Sequence, residues 1–242
     1  VLLAGYFGQN HNKLPFQEMA RKMPLSTLSK HVNQPNQLEA MMFGVAGLLE
    51  KPNESAYSEQ LRKEFSFLSN KHHLQKITQA WKFGGIRPEA FPTRRMALLC
   101  AIVPSLQKIQ AEVLAGKSVT NELLSVTPNP FWDHHFTFHK TLQNAKPLNL
   151  SEGFLQTLQI NVISPYLFYY GQTVGDDNLK EFAIDQLQKV KAEENQFIRA
   201  WDELGYQPKS AADSQALIEL TTQFCKPKNC VFCNVGKSII SH

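Results

Sequence analysis

The chain has 242 residues, 43% of them apolar and 19% charged, and a formal net charge of +4. That length can bury one large core or two modest ones, and the apolar content excludes intrinsic disorder. The mild charge permits contact with nucleic acid without the basic stripe of a dedicated binder. No uninterrupted apolar run approaches the ~20 residues of a membrane span.

Helical periodicity dominates in chain order. Leu38, Met41, Val45, Leu48 and Leu49 recur at three- and four-residue steps ahead of Pro52, which predicts a helix with a stop signal. Tyr57, Leu61, Phe65 and Leu68 form a second stripe. A third opens at Pro92, suited to a first helical turn, and runs through Met96, Leu99, Val103, Leu106, Ile109 and Val113 to Gly116. Pro104 inside it predicts a kink. The stretch 117–150 carries Pro128, Pro130 and Pro147 and reads either as a seam or as a long surface excursion.

Residues 154–170 are apolar nearly all round, interrupted by Asn161, Ser164 and Pro165, and predict a buried central helix. Asp176 or Asp177 can cap the next helix, whose inward face is Leu179, Phe182, Ala183, Leu187 and Val190. Phe197, Ala200, Trp201 and Leu204 form a stripe stopped by Gly205, and Ser210 with Asp213 has capping-box spacing ahead of Leu217, Leu220 and Phe224. No alternating pattern is longer than 136–138. The expected fold is therefore all-α, one domain over 1–242, an irregular multi-helix bundle around the 154–170 helix with a cysteine knuckle at the C-terminal end. The first residue is Val1, with no basic n-region or cleavage site after it. The expectation is a piece of a longer, cytoplasmic protein whose cysteines are thiols or metal ligands.

Three clusters carry chemistry. Cys225, Cys230 and Cys233 form C-x4-C-x2-C just after a predicted helix, with Lys226, Lys228 and Lys237 nearby to offset thiolate charge. Such spacing can converge on zinc or an iron–sulfur cluster, but these want four ligands, and Cys100 and His242 are the candidates for the fourth. The other readings are packed thiols or a Cys230–Cys233 disulfide. In the second cluster, Trp132 and Asp133 precede His134, His135 and His139. His135 and His139 have the spacing of two ligands on one helix face. The intervening Phe136, Thr137 and Phe138 favour extended structure, and an aromatic loop docked on the core with one hydrogen-bonded histidine is the stronger reading. In the third, Gly84, Gly85, Pro88 and Pro92 fix a turn that leads into a helix flanked by Arg87, Arg94 and Arg95. Cations at a helix N-terminus oppose its dipole. A bound phosphate would resolve that conflict; so would carboxylates or carbonyls of neighbouring helices.

The segments 24–31, 87–95, 132–138, 213–217 and 225–236 together resemble the bacterial family called domain of unknown function 2851, over nearly the whole chain and in the C-terminal part of that family. The resemblance maps the family's arginine turn on Arg87 and Arg95, its knuckle on Cys225, Cys230 and Cys233, and its histidines on His31 and His135; His134 and His139 depart from the pattern. It also implies an N-terminal region resembling a PD-(D/E)xK nuclease core as a partner domain, by analogy only, and transfers no catalytic residue to this chain. The functional expectation is an accessory nucleic-acid-binding domain of a nuclease-like protein, with Arg87, Arg94 and Arg95 as phosphate ligands and no membrane partner. The alternative is a structural or protein-interaction domain stapled by the cysteine site. An autonomous enzyme built on His135 or a cysteine ranks last, because no nucleophile–base–orienter set is complete.

Overall fold

The computed structural model describes residues 1–52, 54–119 and 124–240. Local signals set most helix ends. Pro92 occupies the first turn of α5 (Pro92–Ile102), where its missing N–H costs nothing, and Pro104 breaks the continuation into a 3-10 turn, Val103–Ser105, before α6 (Leu106–Leu114). Upstream lie α1 (Leu2–Lys22), α2 (Leu25–Leu28), α3 (Pro35–Val45) and α4 (Ala56–His72). Ser55 caps α4 through a reciprocal box with Ser58. Downstream come α7 (Glu152–Leu158), α8 (Ser164–Val174), α9 (Asp177–Lys189), α10 (Gln196–Glu203), α11 (Ala211–Glu219) and α12 (Asn234–Ile240). Asp176 is the residue that caps α9, Ser210 and Asp213 form the capping box of α11, and Gly205 takes a φ of +84° just past α10. Among the described residues there is no strand, only an isolated antiparallel bridge between His135 and Thr141, so the fold is all-α as expected.

The described chain forms two compact units, Val1–Leu155 and Gln156–His242. In the first, α3 and α5 are both core helices, and in α3 every residue from Leu38 to Val45 is buried. Burying a large apolar side chain stabilises by ~1.5–3 kcal/mol, so this one helix organises the unit, with α1, α4 and α5 packed about it. Gly44 lets α4 approach closely, since a Cβ there would lie 2.2 Å from the Phe65 ring. The stretch after α6 is an excursion that returns to this core: Trp132 stacks on Phe43 at 5.3 Å, and Phe138 and Leu148 are buried beside it. By length and composition Pro92–Leu114 is apolar enough to cross a membrane, but α5 within it is a core element of the first unit.

α1 is broken where Gln9 takes a φ of +48°. In the break, buried Asn12 accepts from Lys82 N (2.8 Å) and donates to Lys82 O (2.9 Å). Glu18, one turn on from the restart, accepts from Thr78 N and Gln79 N at 3.0 Å. Those bonds, Thr78 foremost, hold its carboxyl down at about 2. Thr78, Gln79 and Lys82 of the coil between α4 and α5 thus have backbone groups satisfied by α1 side chains, while Ile77 N donates to Val45 O.

In the second unit α8 packs on α9, and α11 on α9 and α10. Trp201 donates to Thr221 Oγ1 at 2.8 Å. The stretch 154–170 runs through α7, a wide π turn at Gln159–Ile163 and the start of α8. It buries Leu158, Ile160, Val162, Ile163 and Leu167 but exposes Phe168, Tyr169 and Tyr170.

Candidate functional site

Arg87, Arg94 and Arg95 part company in the structure. Arg87 is exposed in the turn ahead of α5. Arg94 is only 4% exposed. Its Nη1 donates to Trp132 O (2.8 Å) and His135 O (2.9 Å), and its guanidinium lies 5.6 Å from the Phe136 ring centre. Next to it, Thr93 Oγ1 donates to Phe136 O at 2.6 Å. The first turn of α5 therefore clasps the 131–138 loop by its backbone. Arg95 is half-buried, 4.7 Å over the Phe154 ring. Burial lowers the pKa of both Arg94 and Arg95. Of the partners expected for a cation at this helix start, Arg94 takes carbonyls; Arg95 takes an aromatic face, which was not among them.

Trp132 is fully buried, and the His135 ring stacks on Phe131 at 3.8 Å while its Nδ1 donates to Phe131 O at 2.8 Å. His139 instead pairs with Glu54 Oε1 at 2.9 Å. The histidines of this loop have separate partners and do not converge, which fits the docked aromatic loop better than a ligand patch.

Cys225 and Cys230 are exposed, Cys233 is buried, and all are free thiols. Among the described residues no three His, Cys, Asp or Glu side chains gather closely enough to hold a metal ion. Cys225 ends a π turn on the surface, and Cys230 sits in a 3-10 turn (Cys230–Phe232) against which Gly236 of α12 packs tightly. Cys100 is buried in the core of the first unit, and His242 lies outside the described residues.

What the first unit does build is an open cleft of about 590 Å³. Trp81, Phe83 and Phe91 line it, with Lys51, His139 and Lys140 at its rim. Trp81 is fixed by donating to Ala46 O and by an edge contact with Phe16. Phe83 meets Phe91 edge-on at 5.4 Å. Its two carboxylates are already paired, Glu50 with Lys76 and Glu54 with His139. Lys51 and Lys140 are exposed and have no carboxylate partner among the described residues.

Two polar arrangements escaped the sequence reading. His31, 4% exposed, donates from Nδ1 to Gln37 Oε1 (2.6 Å), and Gln37 Nε2 donates to Glu64 Oε1 (2.7 Å). His31 Nε2 then accepts from His72 Nε2 at 2.9 Å. Desolvation, then the neighbouring His31, lowers the pKa of His72. The second is Glu39, 4% exposed in α3, which accepts a hydrogen bond from the Tyr57 hydroxyl. Burial raises its carboxyl to about 8, so it is mostly protonated at neutral pH. Glu39 had a signal, as the one charged residue in the buried run from Leu38 to Val45. The His31–His72 pair had none, because nothing local says which helix end meets which.

These features define an all-α protein whose first unit carries an open aromatic and basic cleft above a core stitched by buried polar side chains. The family model described as protein of unknown function (DUF2851) matches residues 1–196, and the chain belongs to that family. The match takes in the arginine turn, the aromatic loop, the cleft and the histidine pair, and leaves out the likeness seen at 213–217 and 225–236. No curated protein and no solved structure matches the chain.

Proposed function

We propose that the first unit is an accessory nucleic-acid-binding module that takes a single strand in the cleft lined by Trp81, Phe83 and Phe91. The observation that carries this reading is the pairing of aromatic walls with unpaired cations, Lys51 and Lys140, at one rim. Non-specific single-strand binders combine a basic track for the backbone with ring faces for the bases, at ~1–3 kcal/mol per stacked base. Lys82 and Arg87 are exposed along the same turn and extend the basic track. The phosphate role expected for the arginine turn thus falls to Arg87, while Arg94 holds the loop behind it and Arg95 packs on Phe154. With both cleft carboxylates engaged, the reading assigns binding and not chemistry to this unit.

The test is anisotropy of a dye-labelled oligothymidylate at several salt concentrations. Lys51→Ala with Lys140→Ala should weaken binding and flatten the log–log salt slope by ~0.7 per contact removed, the single-strand value. Melting should stay unchanged. A folded wild-type protein that fails to bind at low salt, or a double variant with an unaltered slope, overturns the reading.

A protein-interaction role is favoured for the second unit by one observation. Leu204, Phe232 and Ile239 are 78%, 73% and 72% exposed, large apolar side chains left open to a partner. Phe232→Ser with Ile239→Ser should improve solubility if these side chains meet a partner, and sedimentation of the pair against wild type measures it.

A further inference from the structure

Beside the Glu39 carboxyl lies a second cavity of the first unit, about 330 Å³, which no feature of the cleft reading uses. Its walls come from α3, from the junction of α5 with the following 3-10 turn, and from the loop ahead of Trp132. Glu39 and Cys100 supply the titratable groups. Pro35, Pro104, Pro128 and Pro130 supply much of the wall. Proline nitrogens carry no hydrogen, so this wall offers apolar surface and carbonyl acceptors but few donors. Among the described residues no lysine, arginine or histidine lines the cavity.

A carboxyl 4% exposed in such surroundings has one hydrogen bond from Tyr57 and no counter-charge. Placing a carboxylate there without a cation is unfavourable, because the low-dielectric surroundings cannot replace its hydration. A ligand that brings both a positive charge and hydrogen-bond donors supplies what the wall lacks. An apolar tail on that ligand would cover the proline surface.

We propose that this cavity is a binding site for a small primary ammonium compound with a short apolar chain, held by an ion pair with Glu39. The Tyr57 hydroxyl positions one carboxylate oxygen and leaves the other to meet the ammonium group. Proton balance follows directly: the carboxyl proton leaves to solvent as the ammonium ion enters, one proton for each ligand bound. Cys100 stays a thiol throughout, since burial and the nearby Glu39 carboxyl both raise its pKa.

The experiment uses the full chain and n-butylammonium chloride as the probe, with n-butanol as the uncharged control. Titration calorimetry in buffers of different ionisation enthalpy should show butylammonium binding with release of one proton. The affinity should rise about tenfold from pH 6 to pH 7, since binding follows the fraction of Glu39 that is ionised. Butanol should bind weakly and without pH dependence. Glu39→Gln mimics the protonated side chain and should abolish ammonium binding. Butylammonium binding that persists in that variant, or that has no pH dependence, overturns the proposal. A readout on wild-type protein guards against a variant that fails to fold. The carboxyl carbon of Glu39, followed by nuclear magnetic resonance, should titrate at lower pH when butylammonium is present. A titration unmoved by the probe refutes the site.

Discussion

Replacing Arg94 by Met removes the hydrogen bonds to the Trp132 and His135 carbonyls and keeps most of the apolar bulk. Trp132 is fully buried, so its carbonyl has little water to turn to. A hydrogen bond from a charged donor contributes ~1.5–3 kcal/mol. Part of that is offset, because Met relieves the desolvation of the guanidinium, which the charges of Glu89 and Asp133 counter only in part. The expected net loss is ~2–4 kcal/mol, or a fall of roughly 5–15 °C in melting temperature for a domain of this size. Arg94→Lys should recover less than half, since an ammonium cannot reproduce the planar fork. Thr93→Val, which breaks a neutral bond to the same loop, should cost ~0.5–1.5 kcal/mol. The chain has 3 tryptophans. Trp201 alone lies in the second unit, so a Trp201→Phe background makes fluorescence-detected urea unfolding a probe of the first. An Arg94→Met protein with the wild-type midpoint and emission maximum would refute the clamp.

The Glu39 carboxyl, raised by burial from 4.5 to about 8, keeps a proton that the unfolded chain releases. Stability of the first unit should therefore fall as pH climbs between those values, by up to ~1.4 kcal/mol per pH unit, and level off above. Urea midpoints at pH 5, 6, 7 and 8 should show that slope in wild type and lose it in Glu39→Gln; parallel profiles would contradict the burial argument. Gly44→Ala should destabilise by ~1–3 kcal/mol through overpacking against Phe65, whereas Gly84→Ala, with nothing within 4 Å of the new methyl, should be neutral in the same melt. Ellman's reagent should titrate Cys225 and Cys230 at once and Cys100 and Cys233 only on unfolding. Elemental analysis that finds stoichiometric zinc or iron, together with loss of the fast pair, would reverse that outcome.

Helix ends were legible in the sequence because their determinants are local. Pro92, Pro104, Asp176, Gly205 and the Ser210–Asp213 box each act on backbone groups within about a turn; the apolar stripes did less well, since Leu204 is exposed and Ile198, outside its stripe, is the buried residue of α10. The extended structure expected at 136–138 is not what forms: those residues bend, with Phe136 N and Thr137 N both donating to Lys140 O, inside the isolated bridge from His135 to Thr141. The cysteine spacing was also legible, but spacing reports only proximity along the chain. Whether sulfurs converge depends on how the turn between them faces the surface, and here two face out while Cys233 faces in.

The polar interior was decided by tertiary structure. Arg94 finds its carbonyls 38 and 41 residues away, Asn12 meets Lys82 across 70, and His31 reaches His72 across 41. Each bond joins a helix to a segment whose arrival no periodicity records. The same holds for helix burial: 154–170 is the more uniformly apolar stretch, yet α3 is enclosed by α1, α4 and α5 while Phe168, Tyr169 and Tyr170 remain exposed. Composition states how much apolar surface a helix can hide. Which surface is hidden depends on which neighbours pack against it, and with that follow the pKa of Glu39, the partners of Arg94 and the walls of the cleft.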